Sequence, residues 1–293
     1  MPFRDISLAV LVVFVWGVNF VAIKIGVQDV PPLLLTALRF FFTALPAVFF
    51  IPRPAVRWTT LAAFGILLGV VKFGLIFSAV KLGMPAGLTS LVVQVQVFLT
   101  MALAFLLLGE RPTPLQTLGA AIGFAGIGIV AIERFQGATF VPFLMLMGGA
   151  LSWASANMVI KKAGRVNMLA FLVWASLFAP VPLFLASLAV EGWPAIQASL
   201  SPPSLASILS LAFIVLPSTL FAFAVWNDLL QRYSTGMVTP FALLVPVFGL
   251  FSGTILLDEP FSVLAMIGSA VVFAGLMINV FGDRLGRARP ALR

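Results

Sequence analysis

Residues 108–127 read LGERPTPLQTLGAAIGFAGI, and residues 257–276 read LDEPFSVLAMIGSAVVFAGL. The offset between them is a constant 149 residues, and Leu108, Glu110, Leu115, Gly119, Ala121, Phe124, Ala125 and Gly126 all recur unchanged. A second echo lies upstream, where Trp16, Ile23 and Lys24 return as Trp153, Ile160 and Lys161 at an offset of 137 residues. The 12-residue difference between the offsets marks an insertion in the second copy. The chain thus reads as a tandem duplication, residues 1–136 and 137–293, the second copy ending in a basic tail. Repeated membrane-spanning halves are the construction of secondary transporters.

Composition fixes the solvent. Of 293 residues, 62% are hydrophobic and only 9% charged, with a mean hydropathy of +1.18. A water-soluble domain carries about a quarter charged residues, so an integral membrane protein is expected. The chain has no Cys and no His. That removes disulfides, thiol catalysis, Ser-His catalysis and His-ligated metal sites. No GxGxxG or Walker A stretch is present, so the chain carries no ATP-driven machinery of its own. The expectation is a protein that is not an enzyme, with no cofactor and no metal. The net charge of +8 is scattered through short loops, which points to membrane topology and not to a nucleic-acid partner.

Crossing a hydrocarbon layer of roughly 30 Å takes about 17–25 apolar residues. Ten such runs are read, near residues 6–26, 33–51, 60–80, 86–108, 114–132, 141–161, 168–190, 205–227, 235–257 and 262–282. The first follows MPFRD but lacks a small-residue cleavage site and carries the repeated Trp-Ile-Lys pattern, so it reads as retained. Five spans per copy is an odd number, so the second copy enters the membrane from the side opposite the first. Charges agree with this. Loops on the N-terminal side hold Arg4, Arg53, Arg57, Arg111, Lys161, Lys162, Arg165, Arg232, Arg284, Arg287, Arg289 and Arg293. The other side holds Lys24, Lys81 and Arg134, while Arg39 and Lys72 lie inside spans. By the positive-inside rule both termini are cytoplasmic.

Local signals support helices. Thr113-Pro114-Leu115-Gln116 reads as an N-cap, a first-position proline and a capping-box Gln, with Ser262 at the matching cap of the second copy. Gly65/Gly69, Gly119/Gly123 and Gly249/Gly253 are small-residue pairs that let helices approach closely in lipid. Pro46, Pro180, Pro182, Pro217, Pro240 and Pro246 fall inside predicted spans, where each bends its helix or supplies a hinge.

The LGE-x-P-[TS] turn after the fourth span resembles the EamA repeat of the drug/metabolite transporter superfamily. LDEPFS after the ninth span, WG-x-N in the first, and the two-copy ten-helix plan carry the same resemblance over essentially the whole chain. Within the superfamily the chain is similar to YddG-type exporters of aromatic and other neutral amino acids. The resemblance implies an all-α integral membrane fold: ten transmembrane helices as two inverted five-helix repeats about a pseudo-two-fold axis in the membrane plane. Spans 1, 3, 4, 6, 8 and 9 would surround a central cavity, with 5 and 10 outside. Two departures stand out. Val97 occupies the place of Pro246 in the first copy, and the first span has Trp16 and Asn19 but no carboxylate. The latter speaks against the proton-coupled cation exchange of the small multidrug branch.

Polar groups in hydrocarbon are expensive and face a cavity or a partner helix. Trp16, Asn19, Phe20 and Ile23 share one stripe of the first span, and Trp153 and Asn157 form a similar stripe on the sixth. Together they suit a pocket for a zwitterion with an apolar side chain; alternatively the Asn residues link helices and the Trps pack. Lys72 lies near the middle of the third span, where it either attracts a substrate carboxylate or extends along a neighbouring helix. Phe73 and Phe77 share a face of that span, and Phe77 realigns onto Trp226. Gln94 and Gln96 point about 200° apart, and Gln94 is taken as the one facing the cavity. Arg39, six residues inside the second span, is expected to reach water along its stem. Asp228, beside Asn227, is the best acidic candidate for coupling, yet a solvated helix end is the reading preferred for it. Glu110 and Glu259 are read as structural, favouring helix N-termini.

The function read from these residues is export of small neutral metabolites, aromatic and other apolar amino acids above all, across the bacterial inner membrane. The mechanism is alternating access around a midplane cavity. The partners are the neutral amino acid substrate and the lipid bilayer; the oligomeric state is left open, with a monomer compatible. A drug or nucleotide-sugar permease is the runner-up within transporters, and a passive channel or scramblase is the alternative from another class.

Overall fold

The computed structural model describes residues 1–135, 140–164, 166–200, 202–233, 238–259 and 262–287. Arg165, Arg289 and Arg293, counted in the charge skew, lie outside the described residues, as do the side chains of Arg134, Asn227, Arg284 and Arg287.

Among the described residues every regular element is helical. The long stretches are α1 (Phe3–Asp29), α2 (Pro32–Phe49), α3 (Trp58–Lys81), α4 (Ala86–Leu108), α5 (Pro114–Phe135) and α6 (Phe140–Ala163). They continue as α7 (168–190), α8 (205–232), α9 (239–257) and α10 (Val263–Arg287), with a short helix at Trp193–Leu200 between α7 and α8. Seven of these stretches are long and apolar enough to cross a membrane. An eighth is counted if α7, bent by 41° between Met168–Phe178 and Pro180–Val190, is one span. In α5 and α9 the qualifying apolar helices are shorter, Pro114–Val130 and Phe241–Leu257. The bend in α7 falls at Pro180, whose ring cannot continue the hydrogen-bond ladder.

The start of α5 forms as the sequence dictates. Thr113 N–H donates to Gln116 Oε1 at 3.0 Å, and Gln116 N–H donates to Thr113 Oγ1 at 3.3 Å, a reciprocal capping box. Ser262 Oγ accepts the N–H of Ala265 at 3.0 Å at the start of α10. Gly109 at the end of α4 is left-handed, and Asp258 takes that conformation at the matching end of α9. The repeated sequence builds a repeated turn.

Helices α5 and α10 pack against each other through glycine. A Cβ on Gly119 would stand 2.7 Å from Gly275 O, and one on Gly275 would stand 2.6 Å from Gly119 O. The same holds for Gly126 against Gly268 O (2.8 Å) and Gly268 against Gly126 O (3.0 Å). Rising numbers in α5 meet falling numbers in α10, so the pair is antiparallel. Gly268 and Gly275 are the copies of Gly119 and Gly126, so exchanging the two copies leaves this contact set unchanged. Other neighbours follow the same rule: α1 packs on α8 and α9, and α6 packs on α3 and α4.

In α3 and α8 the α-helical ladder widens into π turns, Gly65–Phe73 and Leu216–Phe221. These are equivalent places in the two copies. π turns free backbone groups and cluster at functional sites. In each turn one carbonyl accepts a side-chain donor from the other copy. Trp16 Nε1 donates to Ser218 O at 3.0 Å, and Ser152 Oγ donates to Leu67 O at 2.7 Å.

Contacts define two ends of the bundle. At the N-terminal face Arg232 Nη1 donates to Asp5 at 2.8 Å, and Tyr233 OH donates to the same carboxylate. That hydrogen bond holds the Tyr233 phenol above its ordinary range. At the far face Lys81 donates to the carbonyls of Val27 and Gln28, and Ser204 and Ser207 donate to Asp29.

Candidate functional site

Where α2, α3, α6 and α8 meet, cations and aromatic rings are interleaved. Lys72, on the π turn of α3, is 6% exposed; its Nζ stands 3.4 Å from the centroid of Trp153 and 4.1 Å from that of Phe73. The Arg39 guanidinium, from α2, lies 4.0 Å from the Phe73 centroid. Phe40 and Phe77 complete the ring set around Phe73, with centroids 5.7 Å and 6.1 Å away. A Lys or Arg at the centre of a membrane helix costs about 2.5–3.5 kcal/mol. Cation–π contacts in a desolvated setting return about 2 kcal/mol or more. The rings therefore offset much of the cost of holding these charges.

Arg39 departs from the sequence expectation. It does not extend to water; it is 3% exposed, and its Nη2 donates to Thr219 Oγ1 of α8 at 3.0 Å. Stacking on Phe73 and the hydroxyl near Pro217 hold the guanidinium inward. Its Nε and Nη1 are buried without a hydrogen-bond partner among the described residues. A signal existed in the sequence: Ser218 and Thr219 follow a proline inside an apolar run, where a polar partner from another helix is to be expected.

A second aromatic group adjoins the first. Trp16 meets Phe223 and Trp226 of α8, with centroids 5.4 Å and 5.2 Å apart. Phe223, Phe73 and Trp153 all pack against one buried cluster that includes Phe64, Ala156 and Phe171, which joins the two groups. Phe20 packs against the buried cluster that includes Phe77 and Ile23. Asn19 lies one helical turn from Trp16, 6% exposed, with Oδ1 unpartnered among the described residues. Phe77 is fully buried within its cluster.

The remaining amides link helices. Asn157 Nδ2 of α6 donates to Gln96 Oε1 and Thr100 Oγ1 of α4, both at 3.0 Å. Gln94 is buried and its Nε2 lies 3.4 Å from Ala242 O of α9. Of the two glutamines, Gln96 is therefore the partner of the Asn stripe. Asp228 is an exposed residue paired with Arg232 one turn along α8.

The repeated Lys and Glu residues pair reciprocally. Lys24 of the first copy bonds Glu259 of the second at 2.8 Å, and Lys161 of the second copy bonds Glu110 of the first. The two bridges differ sharply in setting. Glu259 is 8% exposed, and its two carboxylate oxygens also accept the N–H groups of Ala86 (2.7 Å) and Gly87 (3.1 Å) at the start of α4. Negative charge there meets the positive end of the helix. Glu110 and Lys161 are 51% and 44% exposed. A difference of one methyl accompanies the asymmetry. Gly253, whose Cβ would stand 2.6 Å from Glu259 Oε2, corresponds to Ala104 in the first copy. The turns are otherwise alike, with Glu259 N–H bonded to Gly253 O and Glu110 N–H bonded to Ala104 O, both at 3.3 Å.

The far face carries a further tie of the same kind. Glu191 accepts the N–H groups of Leu33 (2.7 Å) and Leu34 (3.3 Å) at the start of α2. At the N-terminal face, by contrast, a cleft of about 260 Å³ opens between α4, α5, α6 and α10, lined in part by Thr100, Glu110, Gln116, Lys161 and Asn279. Both faces carry ties between the copies, and the cleft at the N-terminal face is lined by one of them, the exposed Lys161–Glu110 bridge.

A multi-pass helical membrane protein with an internal duplication, polar groups gathered inside and interleaved halves has the architecture of a carrier. The chain matches the EamA-like transporter family twice, over residues 4–132 and 141–281, and belongs to that family. It is 41% identical over 294 residues to a probable amino-acid metabolite efflux pump of Salmonella typhimurium, covering 98% of each chain. Identity to the protein of the same description from Escherichia coli is 38%, again over 98% of both. A crystal structure with 20% sequence identity superposes with a TM-score of 0.65, covering 99% of this chain and all of that one. At that identity the likeness concerns the fold.

Proposed function

We propose that the protein exports small neutral metabolites, aromatic and other apolar amino acids foremost, across the bacterial inner membrane by alternating access. Its two halves act as inverted five-helix repeats, residues 1–136 and 137–293, and the bent α7 and the shorter apolar helices of α5 and α9 complete ten spans. Both termini lie in the cytoplasm, so the cleft at the N-terminal face opens inward. The description of the Salmonella and Escherichia relatives as amino-acid metabolite efflux pumps supports the substrate class.

The observation that carries this reading is the reciprocal pairing of Lys24 with Glu259 and Lys161 with Glu110. Each bridge ties one copy to the other, one at each end of the bundle. Rocking of one half against the other loosens one bridge as it tightens its counterpart, which is the geometry alternating access requires. The buried Glu259 bridge closes the outer side, and the solvated Glu110 bridge is the weaker of the two.

Two measurements test the reading. Tags at both chain ends should be accessible from the cytoplasm alone; ends on opposite faces would refute the inverted-repeat reading. Proteoliposomes should accumulate at least one of labelled tryptophan, phenylalanine, methionine and threonine in a saturable manner, with or without a pH gradient. Flux no greater than in empty vesicles for all four would remove the amino acid assignment. In the same vesicles Trp16→Ala and Trp153→Ala should each lower saturable flux, and unchanged kinetics would take both side chains out of the site.

A further inference from the structure

Two positive side chains flank one phenyl ring inside the bundle, and among the described residues neither makes an ion pair. Arg39 Cζ and Lys72 Nζ stand 4.0 Å and 4.1 Å from the Phe73 centroid. Arg39 is seven residues from the start of α2 and Lys72 nine from the end of α3, so both lie about 10–14 Å inside the far face. That depth is beyond a headgroup but within reach of the candidate site. Aromatic faces soften the charges without neutralising them. Buried charges are otherwise paired or bonded, and among the described residues Nε and Nη1 of Arg39 are buried donors without a partner.

We propose that Arg39 and Lys72 form the receptor for the carboxylate of the transported solute. The proposal rests on the transporter reading and specifies its substrate: a small molecule with a free carboxylate, neutral or negative overall. Arg39 supplies the planar fork that matches a carboxylate, with Thr219 fixing its orientation through the 3.0 Å bond to Nη2. Lys72 adds a point charge from the π turn of α3, between Phe73 and Trp153. Asn19 Oδ1, the unpartnered acceptor one turn from Trp16, is the complementary group for an ammonium. Trp16 donates to Ser218 and Arg39 to Thr219, so the two polar ends meet α8 at successive residues. Uncompensated positive charge repels cations, so amines and cationic drugs are excluded from the site by the same two residues that recruit the acid.

The test is thermal unfolding of the purified full-length protein with methionine, methioninamide or sodium chloride at matched concentration. Methionine should raise the unfolding temperature, while methioninamide, which lacks the carboxylate, and chloride should not. Lys72→Met and Arg39→Gln should each weaken methionine binding by roughly ten- to hundred-fold, the loss of a hydrogen bond to a charged group. Equal stabilisation by methionine and methioninamide would overturn the proposal, as would equal stabilisation by chloride, or none by any of the three. The wild-type comparison decides the carboxylate dependence, and Lys72→Met keeps the assignment testable even if Arg39→Gln misfolds: methionine binding as tight as in the wild type would overturn it. Vesicle flux of the four amino acids separately decides the exporter reading: flux without carboxylate dependence ends the receptor alone.

Discussion

Replacing Glu259 by Ala lowers the stability of the folded protein by about 1–3 kcal/mol, the cost of leaving buried backbone donors unsatisfied, while the Lys24 ammonium, 27% exposed, reaches solvent. Three groups lose their partner together: the Lys24 ammonium and the N–H groups of Ala86 and Gly87. Leaving buried donors unsatisfied is what makes such a change severe. The matching substitution Glu110→Ala changes stability by less than about 1 kcal/mol, because its bridge to Lys161 is exposed to solvent. Gly253→Ala costs less than Glu259→Ala, since the new methyl falls 2.6 Å from Glu259 Oε2, the end of a side chain that can shift, and 3.1 Å from the Gly87 backbone N. Unfolding temperatures of the purified variants, taken at one scan rate because such transitions are kinetic, check the order. Equal losses in Glu259→Ala and Glu110→Ala would remove the asymmetry between the two faces. The same pair differs in its effect on the conformational balance. Cysteine labelling at the far-face loops should increase in Glu259→Ala and stay at the wild-type level in Glu110→Ala.

The duplication makes much of this arrangement legible in the sequence. Leu108–Ile127 and its second copy set the turn, the capping box and the glycine faces of α5 and α10, because all three are local consequences of short-range sequence. The stripes of Trp16 with Asn19 and of Trp153 with Asn157 are likewise readable, since helical spacing alone puts those side chains on one face. What the stripes meet is not. Asn157 reaches Gln96 and Thr100, a choice set by the rotation of α6 against α4. Lys24 and Lys161 are repeated as plainly as Glu110 and Glu259, yet their pairing across copies depends on how the halves interlock.

Arg39 shows where sequence reasoning fails. Distance from a helix end favours extension to water, a one-dimensional criterion. The residue instead turns inward because Phe73 offers a ring face and Thr219 an acceptor, both from helices far away in sequence. Sequence supplies the polar inventory of the interior, and tertiary packing selects its partners.

Gly126→Ala destabilises the protein by about 1–3 kcal/mol, the usual cost of overpacking, whereas Gly128→Ala two residues along is neutral or mildly stabilising. Helix propensity alone favours both changes by close to 1 kcal/mol, so propensity cannot separate them; packing does. A Cβ at Gly126 stands 2.6 Å from the backbone N of Val272 and 2.8 Å from Gly268 O, so an entire helix must move, while a Cβ at Gly128 meets nothing within 4 Å. Gly119→Ala carries a similar cost, from Asn279 N at 2.6 Å and Gly275 O at 2.7 Å. Combining Gly119→Ala with Gly126→Ala costs less than the separate losses together, because α10 displaced from one glycine no longer presses fully on the other. A double-mutant cycle on unfolding temperature, with Gly128→Ala as the control, reads this directly. Additive losses would mean that each methyl is absorbed by local repacking and that α5 and α10 do not behave as one rigid, close-packed pair.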